Sequence, residues 1–154
     1  MDIVAFRPEH AEAFRSLNEA WIRKYFALES RDHEMLGDPQ GQILDPGGHI
    51  FMALEDGRAV GCVALLPLPD GGFEIAKMAV EEGRRGGGVG RALMERCLEV
   101  ASAAGAPRLY LETNSVLAPA LSLYRSMGFK PLARTRDPAA DYERVNIWME
   151  LALG

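Results

Sequence analysis

Residues 81–94 read EEGRRGGGVGRALM, and five of the eight residues from Gly83 to Gly90 are glycine. Glycine loses more conformational freedom on folding than any other residue, so a cluster of it marks a place where a Cβ is not tolerated. A helical pattern follows at once. Val89, Leu93, Cys97, Val100 and Ala104 fall on one face, and Gly105 and Pro107 close it. Ahead of the glycines, FEIAKMAV reads as a strand. A strand, a glycine-rich turn and a helix start gather amide N–H groups and the positive end of a helix dipole around one point, which suits an anion. The bland alternative is a surface turn rich in glycine. The loop is not a Walker A site, because no Gly-Lys-Ser/Thr occurs. The dinucleotide spacing also fails: Gly86 and Gly88 are followed by Arg91 where a third glycine belongs.

The elements around this loop set the fold class. Ile3–Phe6 predicts a first strand, and Pro8 suits the first turn of a helix. Phe14, Leu17, Trp21, Tyr25 and Leu28 recur at helical spacing, so that helix is expected to reach about residue 28. Arg31–Leu36 predicts a short second helix ending at Gly37, and DPQGQILDPGG a loop with little regular structure. Three strands follow, HIFMALE, RAVGCVALL and FEIAKMAV, joined by DG and PDGG turns that signal antiparallel hairpins. After the glycine loop and its helix come a strand RLYLETN, a helix from Ala118 to Met127 with Pro119 in its first turn, and strands Phe129–Arg134 and Glu143–Leu151. The order is β, α, α, β, β, β, α, β, α, β, β. It predicts a mixed α/β sheet covered by helices on its faces. With 154 residues, 48% hydrophobic and 25% charged, the chain suits one globular domain over 1–154.

Charge narrows the partners. The net charge of −5 argues against general nucleic-acid binding. Residues 1–72 hold 12 acids against 6 bases, whereas residues 73–154 hold 10 acids against 11 bases. The first half suits attraction of a cation and the second tolerates an anion, although solvated surface charge would look the same. No stretch has the length and apolarity of a membrane span, and MDIVAFRPEH lacks a signal pattern, so a cytoplasmic protein with no membrane partner is expected. Cys62 and Cys97 are read as reduced core thiols. His10, His33 and His49 show no metal-ligand spacing.

Arg85-Gly86-Gly87-Gly88-Val89-Gly90 matches the R/Q-x-x-G-x-G/A motif of the GNAT N-acetyltransferase superfamily. Downstream, LETNSVLAPALSLYRSMGF resembles the second signature of that family, an Asn after strand five, then a helix carrying Tyr, then Gly-Phe. Here those are Asn114, Tyr124, Gly128 and Phe129. One departure is Glu82, where many members carry Pro. The motifs span residues 73–129, and the element order fits the whole chain.

The resemblance implies a sheet of about seven strands, splayed between the fourth and fifth and flanked by about four helices. It implies acetyl-CoA as cosubstrate, with its pyrophosphate on Arg85, Gly86, Gly87, Gly88, Val89, Gly90 and Arg91. The pantetheine arm would pair with the strand-four backbone at Met78, Ala79 and Val80, and Asn114 would hold that arm or its bound water, or else cap a helix. Glu74 is the candidate base, with a water chain as the alternative, and Tyr124 the candidate acid. The oxyanion donor is expected in the strand-four backbone near Ala79. In an undistorted strand Glu74, Ala76, Met78 and Val80 share one face and Lys77 takes the other; a bulge changes that phase. The acceptor site is expected over the splayed strands, walled by residues 21–45, where Tyr25, Phe26, Glu29, Asp32 and His33 could line it. The expected activity is acetyl transfer to a primary amine of a small molecule, by a monomer or homodimer. The alternatives are a protein lysine or N-terminal acetyltransferase and a non-catalytic acyl-CoA-binding module.

Overall fold

The computed structural model describes residues 1–133 and 142–154. Among them are seven strands: β1 (Asp2–Ala5), β2 (His49–Glu55), β3 (Arg58–Pro67), β4 (Phe73–Val80), β5 (Arg108–Thr113), β6 (Lys130–Leu132) and β7 (Ile147–Ala152). The α-helices are α1 (Ala11–Tyr25), α2 (Ser30–Gly37), α3 (Val89–Ala103) and α4 (Ala118–Ser126). The strands form one sheet in the order β1-β2-β3-β4-β5-β7-β6. Every pairing is antiparallel except β4 with β5. The β2–β3 hairpin turns on Asp56 and Gly57, both at positive φ, which is the turn that suits the twist of its flanking strands.

Helices cover both faces of the sheet. On one side Leu93, Met94 and Cys97 of α3 and Leu121 of α4 pack with Val63, Leu65, Ile75, Leu109 and Leu111. On the other, Phe14 of α1 and Leu36 of α2 pack with Ile50, Met52, Cys62 and Ala64. Cys62 and Cys97 therefore lie in opposite core layers as free, buried thiols, and burial pushes each up to about 12. Among the described residues no helix is long and apolar enough to cross a membrane.

Several boundaries differ from expectation. α1 stops at Tyr25 and not near Leu28, because Phe26 turns extended and the chain enters a second helix start. There Glu29 and Asp32 form a reciprocal capping box for α2. Residues 40–44, expected to be irregular, make a single π-helical turn around Ile43, which is fully buried. The last two strands are shorter than expected and start later, at Lys130 and Ile147. Arg134, the expected end of the first of them, lies outside the described residues.

Two features of β4 position the site. Its pairing with β5 covers only Phe73–Leu109, Glu74–Tyr110 and Ile75–Leu111. Beyond Ile75 the strands part, and the β4 backbone from Ala76 to Val80 is left unladdered on its β5 side. The second is a bulge. Cys62 pairs with Ala79 but Ala64 with Ala76, so β4 carries one residue more than β3 there. Lys77 takes the strain at φ +54°. The undistorted phase is thereby corrected: Met78 and Val80 join Ile75 on the α3/α4 side, and Ala79 joins the α1/α2 side. Glu74, one step from Ile75, is not on the face of Met78 and Val80.

Candidate active site

Where β4 ends, the chain makes a 3-10 turn at Glu82–Arg84, then passes Gly86 at φ +84° and Gly88 at φ +87° into α3. Gly88 caps α3 without a side-chain hydrogen bond. The first-turn amides of α3 therefore keep donor capacity at the end of the splayed strands. Arg85 Nε donates to the Val80 carbonyl at 3.1 Å, and the guanidinium stacks on Trp21 with its carbon 4.6 Å from the ring centre. Its Nη1 is buried with no hydrogen-bond partner among the described residues. A buried cationic donor of this kind calls for an acceptor, and an anion is the acceptor that would also match its charge.

A cavity of about 480 Å³ opens between the splayed strands. Gly86, Gly88, Gly90 and Arg91 line one end; Met78 and Val80 line its β4 wall, and Leu111–Asn114 its β5 wall. Tyr124 and Leu123 of α4 close one side, and Trp21, Tyr25 and Phe26 the other. Lys77, Arg84, Arg85, Arg91 and Arg144 reach this lining, and Glu112 is the one acid among its described residues; Asp32 pairs with Lys77 and Arg144 and Glu55 with Arg84, which leaves Arg85 and Arg91 to favour an anionic guest. None of the acids of residues 1–72 lines it. Asp32 and Glu55 of that half act from behind it, as ion-pair partners of Lys77, Arg144 and Arg84.

Beside it, a smaller cavity of about 80 Å³ is lined by Arg31, Glu74, Lys77, Glu112, Tyr142 and Arg144 among others. Its walls are tied together by Asp32, which is fully buried. Arg144 grips both Asp32 oxygens at 2.7 Å, Lys77 Nζ donates to Oδ1, and the Glu29 N–H donates to Oδ2 at 2.9 Å. Burial works against ionising Asp32, yet the hydrogen bonds from Arg144 and Lys77 and the charge of Lys77 hold it at about 2. Burial pushes Lys77 below the usual lysine range, with Asp32 pulling the other way. The Lys77 ammonium also stacks over Tyr142, 4.7 Å from the ring centre.

Residues 9–129 match the model of the Acetyltransferase (GNAT) family. The chain belongs to this family. It is 36% identical over 114 residues to an IAA acetyltransferase of Azospirillum brasilense, covering 72% of each protein. In fold it is similar to a GNAT acetyltransferase of Staphylococcus aureus Mu50, with TM-score 0.89, 19% identity and 99% of each chain covered. It is also similar to YncA of Salmonella typhimurium with its cofactor acetyl-CoA, with TM-score 0.78, 20% identity, 100% of this chain and 94% of that one. This GNAT protein is thus an N-acetyltransferase that uses acetyl-CoA.

The residues present fit that cosubstrate. A glycine cradle, an orphaned guanidinium donor and an open β4 edge meet in one cavity of the size small-molecule sites have. Of the expected cofactor residues, Met78, Val80, Arg85, Gly86, Gly88, Gly90, Arg91 and Asn114 line it. Ala79 and Val89 have their side chains in the core, and Gly87 lies outside the lining with its N–H on the Arg84 carbonyl. Tyr124 lines it from α4 and is 8% exposed. Asn114 is not a helix cap, since Leu117 is the N-cap residue of α4. Its Oδ1 accepts the Val116 N–H at 2.9 Å and its Nδ2 donates to the Arg144 carbonyl at 2.7 Å. Asn114 thereby ties the β5 end to the segment before β7. Of the expected acceptor residues, Tyr25, 42% exposed, and Phe26 line the large cavity at the end of α1. Glu29 and His33 do not: Glu29 accepts from the Glu143 N–H and Arg144, and His33 is exposed on α2.

Lys77, Glu112 and Arg144 were not expected at the site. Lys77 arrives through the bulge, which alternation cannot locate. Glu112 sits on β5 directly before the signature Thr113-Asn114, a position that could have flagged it. Arg144 comes from a chain-distant segment and carries no local signal.

Proposed function

We propose that the protein acetylates a primary amine of a small molecule by direct attack of the amine. The observation that carries this is the roof over the acceptor end. The segment 142–145 is bolted down twice, by Arg144 on Asp32 and by Asn114 on the Arg144 carbonyl. What lies beneath is a side cavity of about 80 Å³, with room for an amine head group.

On this proposal Arg85, Arg91 and the backbone at Gly86, Gly88 and Gly90 hold the pyrophosphate, and the open β4 edge at Met78–Val80 takes the pantetheine as an added strand would be taken. When bound, acetyl-CoA supplies an activated thioester carbonyl. Trp21, Tyr25 and Phe26 pack the acceptor and exclude water. Glu74, 7% exposed and lining the side cavity, takes the amine proton directly or through a water. A β4 amide near Ala79 faces the negative charge that develops on the carbonyl oxygen. Burial pushes Tyr124 up to about 12, so its hydroxyl keeps a proton at neutral pH to give to the departing sulfur.

The test is turnover of acetyl-CoA, read as free thiol, across panels of small amines, lysine-containing peptides and peptides with free N-termini. Turnover of small amines well above both peptide panels is expected. Turnover confined to peptides would overturn the small-molecule acceptor.

A further inference from the structure

Lys77 is a non-glycine residue held at φ +54° in the middle of a strand. The left-handed region costs such a residue free energy that a straight strand would not incur. Something must hold it there. Its side chain is 4% exposed and reaches Asp32 of α2, with the Tyr142 hydroxyl 3.2 Å from Nζ. Asp32 is in turn fixed by the bidentate Arg144 and by the Glu29 N–H. The strained residue of β4 is thus bound to a carboxylate that belongs to α2 and to the roof.

The bulge decides which residues the cofactor meets. With Lys77 left-handed, Met78 and Val80 turn to the large cavity and Ala79 to the α1/α2 core. Were Lys77 to relax into regular strand, the β4 backbone beyond it would slip by one residue and exchange those faces. We propose that Lys77 is a positioning residue: anchored by Asp32, it holds the β4 bulge and so sets the part of β4 on which the acyl end of acetyl-CoA is aligned. This rests on the open β4 edge being the docking edge for the cosubstrate.

Substitution at position 77 tests it without stranding charge. Removing the lysine leaves Asp32 in its bidentate pair with Arg144, whereas Asp32→Asn would leave the buried Lys77 ammonium without its carboxylate and Arg144 with Glu29 alone. Lys77→Ala removes the anchor and keeps a Cβ that disfavours positive φ. Lys77→Gly removes the same anchor and permits positive φ at no steric cost. The enzyme is assayed for kcat, for KM of acetyl-CoA and for CoA affinity by calorimetry. The glycine variant is expected to exceed the alanine variant in kcat by roughly 5- to 30-fold, the range set by the left-handed penalty. CoA affinity is expected to change little in either, because the phosphate loop is untouched. Two variants equally impaired would overturn the proposal and make the Lys77 amine itself a substrate contact. Two variants equal to the parent would also overturn it. If alanine prevents folding, the glycine variant alone decides: kcat within several-fold of the parent supports the proposal, and near-complete loss overturns it. Loss of CoA affinity in Gly88→Asp but in neither Lys77 variant keeps the phosphate loop while isolating the β4 alignment. Full kcat in all Lys77 variants with CoA bound normally removes β4 alignment alone.

Discussion

Gly88 sits at φ +87° with nothing within 4 Å of the place a Cβ would occupy, so its backbone conformation, not crowding, calls for glycine. Asn and Asp tolerate this region better than other side chains. Gly88→Asn and Gly88→Asp should therefore both fold, differing by one charge at the α3 N-terminus. Calorimetry should show CoA affinity reduced modestly by Asn and by a further order of magnitude or more by Asp, since a carboxylate there repels pyrophosphate. Equal affinities for the two variants would remove the anion from this loop. Tyr124 tests the other end of the cavity. Tyr124→Phe keeps the ring against Phe129, 6.1 Å between centres, and deletes one oxygen. CoA binding should persist while kcat falls by roughly 10²-fold, as for a lost general acid. An unchanged kcat, with chemistry shown to limit the rate, would leave Tyr124 as packing alone.

At the scale of elements, the placement of α3 depends on Gly61 of β3. A Cβ there would stand 2.8 Å from Val89 Cγ1 and 3.2 Å from Leu93 Cδ1, so these α3 side chains pack close over the bare backbone of β3. That approach brings the α3 N-terminus to the mouth of the β4–β5 splay. Gly61→Ala should cost about 1–3 kcal/mol by overpacking, read from denaturant melts, and should weaken CoA binding as α3 is pushed outward. A variant as stable as the parent with full CoA affinity would show that α3 docks with slack. The splay itself is an element-level property. β4 and β5 are joined through α3, as a parallel pair requires, and the bulge bends β4 away after three residue pairs.

Across the whole molecule, the carboxylate of Asp32 holds together α2, the β4 bulge and the segment before β7. Its folded value of about 2 lies below the ordinary 3.8. A carboxylate depressed in the folded state stabilises fully above its unfolded value, and that contribution is lost as pH falls through the folded one. Stability should therefore drop between about pH 4 and pH 2, by on the order of 2 kcal/mol from this group. Melts of the parent and of Asp32→Asn across this range check it; the same acid slope in both would place the loss elsewhere. Much of this architecture was legible in the chain. Periodic apolar residues, Asp-Gly turns and glycine stops are local signals, so the order of strands and helices, the α3 boundary and the glycine cradle followed from residues 49–129 without coordinates. The anion-binding roles proposed for Arg85 and the glycines depend on local backbone geometry, and the motif carried that geometry with it. What tertiary structure alone decided is the phase of β4 after Ala76, and with it the company Glu74 keeps. Alternation fails wherever one residue is inserted into a ladder, because the insertion is stabilised from outside the strand. Here the stabilising contact joins Lys77 to Asp32, 45 positions earlier, and Arg144 meets that same carboxylate from 112 positions later. No window of sequence contains both partners of such a contact, so only the folded chain could show it.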